Sequence, residues 1–185
     1  FPTRRSSDLG STTIPQIPSP LSYTQKLDVK GKMMVELGMP GMSLMKQSYN
    51  GTTGYMVQQG QKKVLEGKEL SDMKESAVLF NETLLATKAG VTVTGIEPLN
   101  GNDAYTVVDG TTTYFFDVKT GLKLAESTTD EKAGQKMTRV TYFNDYRAVK
   151  GVKVPFNTIL NVGIELDIKM TDVKINEGVS DLDFQ

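Results

Sequence analysis

Short runs of alternating apolar and polar residues, each closed by a turn signal, recur along most of this chain and direct it toward an antiparallel sheet. Asn50-Gly51, Asn100-Gly101 and Asp109-Gly110 are the strongest short hairpin signals. From Gln25 the period is two: Leu27, Val29, Met33, Val35 and Leu37 share one face, and Lys26, Asp28, Lys30, Lys32 and Glu36 the other. Met34 is the apolar exception on the wet side, and the stretch reads as one long half-buried strand. Gly38-Met39-Pro40-Gly41 turns the chain, and residues 42–49 and 53–58 follow as strands. Further strands are expected at 91–99, 104–108, 111–116, 122–129, 137–146, 152–160 and from 164 onward, with a polar loop around Gly134. Pro155 cannot donate to a ladder, so its strand is expected at an edge or a bulge. Leu166, Ile168 and Met170 alternate in one phase and Val173 and Ile175 in the other, which predicts a bend near Thr171-Asp172.

One helix interrupts the strands. Leu70, Met73, Ala77, Phe80 and Leu84 recur at three- and four-residue steps over 67–88 and form a single apolar stripe. The fold class expected is therefore mainly β: an antiparallel curled sheet of about nine or ten strands, an incomplete half-barrel, with one amphipathic lid helix.

Composition narrows the function. Among 185 residues there is no His, no Cys and no Trp. That excludes a Ser-His-Asp triad, a thiol nucleophile and the usual zinc and iron sites, so the chain is expected to be no enzyme and to need no cofactor or metal. Net charge is -1 with basic residues scattered among acids, so no nucleic-acid partner is expected. No apolar run is long enough for a transmembrane segment. Asp103, Asp109, Asp117 and Asp145 sit at turns, where Asp serves local hydrogen bonding, without the spacing of a calcium loop.

Phe1-Pro2-Thr3-Arg4-Arg5-Ser6-Ser7-Asp8-Leu9 resembles a translated DNA-sequencing adapter, and is set apart from fold reasoning. Residues 10–24, with Pro15, Pro18 and Pro20, are expected as a Pro-rich linker. Residues 25–185 form the β domain, expected to be truncated at its N-terminal side.

Several motifs in order resemble one family. They are Gly54-Tyr55-Met56-Val57-Gln58-Gln59-Gly60, the helix after Gly67, residues 95–105 from Gly95-Ile96-Glu97-Pro98-Leu99-Asn100-Gly101, Tyr114-Phe115-Phe116-Asp117, residues 145–155, and residues 173–181. Together they resemble the LolA-like outer-membrane lipoprotein-sorting group in its Bacteroidetes-type version, often the C-terminal appendage of an insulinase-type zinc peptidase. The resemblance implies a half-barrel under a lid helix, a periplasmic location in the cell envelope, and a cavity for the acyl chains of lipoproteins.

The expected apolar groove between helix and sheet is lined by Met33, Val35, Leu37, Met73, Ala77, Phe80, Leu166 and Ile168. An acyl chain or lipoprotein is its expected partner. The same residues also read as ordinary core, the commoner use of thioethers and of amphipathic helix faces. A filled core would make this a structural or accessory domain whose partner is an upstream peptidase domain of the same polypeptide. Hydrolysis by two converging carboxylates is the third reading.

Overall fold

Asp28 sets the hairpin over residues 28–32. Its carboxylate accepts the Lys30 N–H at 2.8 Å, its carbonyl accepts the Gly31 N–H at 2.9 Å, and Gly31 takes a left-handed φ of 73°. The stretch read as one long strand is thus two, and Val29, placed on the apolar face by its period, lies exposed at the tip. The period of two ran unbroken through the turn, which hid it. This computed structural model describes residues 5–14, 17, 19–132, 135–161 and 163–185. Residues 1–4, Pro15, Pro18 and the loop at Gly134 lie outside them.

The strands are β1 (Arg5–Thr13), β2 (Leu21–Asp28), β3 (Lys32–Met39), β4 (Met42–Tyr49), β5 (Gly54–Gln58), β6 (Gln61–Leu65), β7 (Thr92–Leu99), β8 (Asn102–Asp109), β9 (Thr112–Asp117), β10 (Lys123–Lys132), β11 (Gln135–Val149), β12 (Val152–Asn161) and β13 (Glu165–Ile175). Two short helices, α1 (Gly67–Ser76) and α2 (Glu82–Leu85), separate β6 from β7. All thirteen strands form one antiparallel sheet in the order β6-β5-β4-β3-β2-β1-β13-β12-β11-β10-β9-β8-β7, not closed into a barrel. The chain starts at the centre and meanders to one edge. It then passes through the helices to the other edge and meanders back to the centre.

Residues 5–13, which lie in the adapter-like and linker stretches, form β1, and β2 begins at Leu21. The ladder is made by backbone groups, so a polar sequence pairs where its neighbours offer a register, here Ser7 to Lys26 and Gly10 to Tyr23. Pro155 lies in β12, which runs between β11 and β13, so of the edge or bulge expected for it the edge is excluded. The helix is broken: α1 ends at Ser76, and Phe80 takes a left-handed φ of 58°. Ala77-Val78-Leu79-Phe80 is an unbroken apolar run, too wide for one helix stripe. Ending the helix buries Ala77 and half-buries the other three.

The chain divides into two compact units: residues 1–80, 148–153 and 168–185 form the first, and residues 81–147 and 154–167 the second. In the first unit, Leu27, Met33, Tyr49, Gly54 and Leu65 are cross-strand partners in one row from β2 to β6. α1 packs on this row through Met73, with Ala77 just beyond the helix and Leu70 at the margin. The opposite face, expected to be wet, is covered as well. A C-terminal 3-10 helix (Asp181–Phe184) lies there. Asp183 pairs with Lys26 at 2.5 Å and Asp181 with Lys32 at 3.0 Å, while the Tyr55 hydroxyl donates to the Gln185 carbonyl. Phe184 beneath them is 1% exposed, and Met34, the apolar exception, is 6% exposed on the same face.

Candidate functional site

The sequence places the groove under the helix, and the first unit holds part of it. Met33, Met73 and Ala77 join one buried cluster with Leu27, Tyr49 and Leu65, and Val35 packs against it. Leu37 is half-buried farther along β3, opposite Tyr23 and Met45. Phe80 is half-buried in the segment after α1. Ile168 is buried in β13 of the first unit, whereas Leu166 belongs to the second. The structure therefore gathers Met33, Val35, Met73 and Ala77 and leaves Leu37, Phe80, Leu166 and Ile168 outside the cluster. Helix and sheet approach closely here. A Cβ built on Gly54 would stand 2.9 Å from Met73 Sδ and 3.0 Å from Leu70 Cδ1. Contact this tight is the packing of a filled core.

The second unit presents a different face. Side chains alternate along β7 to β11, and the register sorts them. Ile96, Tyr105 and Phe116 are partners in one row. Val93, Val107, Tyr114, Glu126 and Thr141 form the next. Tyr114 and Phe116 stack with ring centroids 6.4 Å apart. This floor is buried toward Tyr114 and open toward β7, where Val93 is 65%, Ile96 55% and Tyr105 41% exposed. An apolar strip this exposed along a structured strand is the kind of surface that meets a partner.

A buried lysine marks the inner end of that floor. The register shifts at Leu124, so Lys123 stands opposite Phe116 and its side chain joins the aromatic face. Only 9% exposed, its ammonium lies 3.0 Å from Glu126, 3.7 Å from Glu82 and 3.3 Å from the Asn81 amide oxygen. It also lies 4.4 Å from the Phe143 ring centroid and 5.9 Å from that of Tyr114. The Tyr146 hydroxyl donates to the Lys123 carbonyl at 2.7 Å. Burial, followed by the charges of Glu82 and Glu126, pushes the Tyr146 hydroxyl up from its ordinary range. Asn81 and Glu82 lead into α2, and Lys88 beyond its end pairs with Asp109 at 2.6 Å on the same sheet face. The α2 segment is thus tied to this face at both ends.

None of Tyr105, Tyr114, Phe116, Lys123 or Phe143 was among the expected groove residues. The alternation of Tyr105 with Val107, and of Tyr114 with Phe116, was a usable signal for a second apolar face. Lys123 carried none, because the bulge that turns it inward leaves no mark on the hydrophobic period. Asp117, by contrast, serves its own turn as expected. It accepts the Thr120 hydroxyl and N–H, each at 2.7 Å, and the Lys119 N–H at 3.1 Å. The Thr120 hydroxyl and then its backbone N–H hold the carboxyl below the usual range.

No protein-family model matches the chain, and no curated protein matches it by sequence. Solved structures do match. A LolA superfamily protein from Nitrosomonas europaea aligns over 100% of this chain and 91% of its own, with a TM-score of 0.64 and 12% identity. An outer membrane lipoprotein-sorting protein domain from Vibrio parahaemolyticus aligns over 97% and 88%, with a TM-score of 0.63 and 11% identity. A DUF1329 family protein from Desulfovibrio piger aligns over 99% and 89%, with a TM-score of 0.67 and 12% identity. At such identities the likeness establishes the fold, and the fold is LolA-like.

Proposed function

We propose that this chain is a non-catalytic domain of the bacterial envelope that holds an apolar chain, a lipid or lipoprotein acyl group, on the aromatic face of its second unit. The observation that carries this reading is the strip of Val93, Ile96 and Tyr105, exposed to water yet continuous by register with a half-buried aromatic floor. An alkyl chain laid along it gains about 0.8 kcal/mol per methylene removed from water. The description of the Vibrio relative as lipoprotein-sorting supports the same ligand class and a periplasmic location. The close packing at Gly54 favours a core role for the residues under α1.

Native mass spectrometry of the domain after incubation with detergent-free lipid extract tests this. An acyl-chain adduct is expected, and Ile96→Asp, at an exposed position that burial does not constrain, removes it. A folded sample without any adduct would overturn the carrier reading. It would favour an accessory domain, such as the appendage of an insulinase-type zinc peptidase, whose open strip is covered by another part of a longer polypeptide.

A further inference from the structure

The charges around Lys123 specify the head of the ligand. Glu82 and Glu126 share one lysine, so the cluster carries a net charge of -1. Two further cations of this face are matched: Lys88 faces Asp109 at 2.6 Å, and Arg139 faces Asp130 at 2.7 Å. A carboxylate or phosphate arriving at Lys123 would meet two carboxylates and one ammonium that is already shared between them. The two glutamates are unequal. Glu126 is the near partner of Lys123, whereas Glu82 stands 3.7 Å away and is 35% exposed. Glu82 therefore has capacity for a second cation, at the edge of an aromatic wall that already holds one ammonium over Phe143.

We infer that the aromatic face of the second unit selects an acyl or alkyl chain with an ammonium head, seated at Glu82, and rejects the same chain ending in a carboxylate. This rests on the carrier reading above and adds the class of ligand to it. Charge complementarity supplies the selectivity, and the chain supplies the affinity.

Titration calorimetry with three ten-carbon probes below their micelle concentrations tests it: decyltrimethylammonium, decanoate and 1-decanol. The ammonium is expected to bind about tenfold more tightly than the carboxylate, equal to about 1.4 kcal/mol. Glu82→Gln should shrink that ratio to about threefold or less, and Glu82→Lys should invert it. Glu126→Gln, which keeps a hydrogen-bond acceptor for Lys123, should shrink it as well. Thermal unfolding midpoints report whether each variant is folded. Decanoate binding as tightly as the ammonium, or a ratio unchanged in both glutamine variants, would overturn the inference. If decanol binds and the ratio is one, only the head-group selectivity falls. If no probe binds, decanol included, the carrier reading falls with it.

Discussion

Asp8 is the residue whose chemistry fits its position least well. It lies in β1, between β2 and β13, and burial pushes its carboxyl up from 3.8 to about 6. A hydrogen bond from Ser6 opposes the shift, and the charge of Asp172 adds to it. The folded-state value is raised, so the fold favours the neutral acid. Stability from this site is fully present below about pH 4 and is lost as the pH rises through about 6. Two units correspond to about 3 kcal/mol. Asp8→Asn is therefore expected to be more stable than the parent at pH 7 by up to about that amount and equal to it near pH 4, as read from urea midpoints at both values. A parent whose advantage grows toward pH 7 would contradict the raised carboxyl. Individual residues were unevenly legible in the sequence. The turn role of Asp117 was readable because its neighbours supply the donors. The turn at Asp28 was not, since Leu27 and Met33 share one face whether or not the chain reverses between them. The left-handed Phe80 and the inward Lys123 had no signal, because backbone strain and bulges follow from tertiary packing.

Among the elements, α1 is set by contact and not by its length of ten residues. Gly54→Val should force Met73 and Leu70 off their positions and cost about 1–3 kcal/mol. Chemical denaturation would show this as a lower midpoint with an unchanged slope. Met73→Ala opens a cavity in the same place and should cost about 2–5 kcal/mol. The C-terminal 3-10 helix is the other clamp of the first unit. Phe184 is almost wholly buried, so Phe184→Ala should cost about 3–5 kcal/mol. A change below about 1 kcal/mol would show that the segment covers Met34 without stabilising it. The hairpins from β7 to β9 were legible because Asn-Gly and Asp-Gly turns fix register locally. The helix break and the C-terminal cover were not, because each depends on what packs above an already formed sheet.

At the scale of the whole molecule, the sheet order explains why the first strand matters. β1 is the only described strand between β2 and β13, and the Thr171 hydroxyl donates to the Leu9 carbonyl at 3.1 Å. Removing residues 1–13 is expected to leave two long strands with unpaired ladders, and so to produce self-association on size-exclusion chromatography. A monomeric, cooperatively unfolding product would contradict that arrangement. The two outer edges are better protected, since β6 carries Lys62 and Lys63, and β7 carries Pro98 and a register shift at Gly95. The LolA-like fold was legible through the order of its turn motifs, but the site was read one unit away from the face proposed here. The stripe of Leu70, Met73 and Ala77 drew attention to the helix with the better periodicity, which packs closely on the sheet at Gly54.

The most direct test is photo-crosslinking with an acyl amide that carries a diazirine near the methyl end of its chain, followed by peptide mapping. The carrier reading predicts saturable labelling within residues 92–117, competed by unlabelled lipid and lost in Ile96→Asp. Labelling centred on β3 and α1, or labelling that neither saturates nor competes, would contradict it.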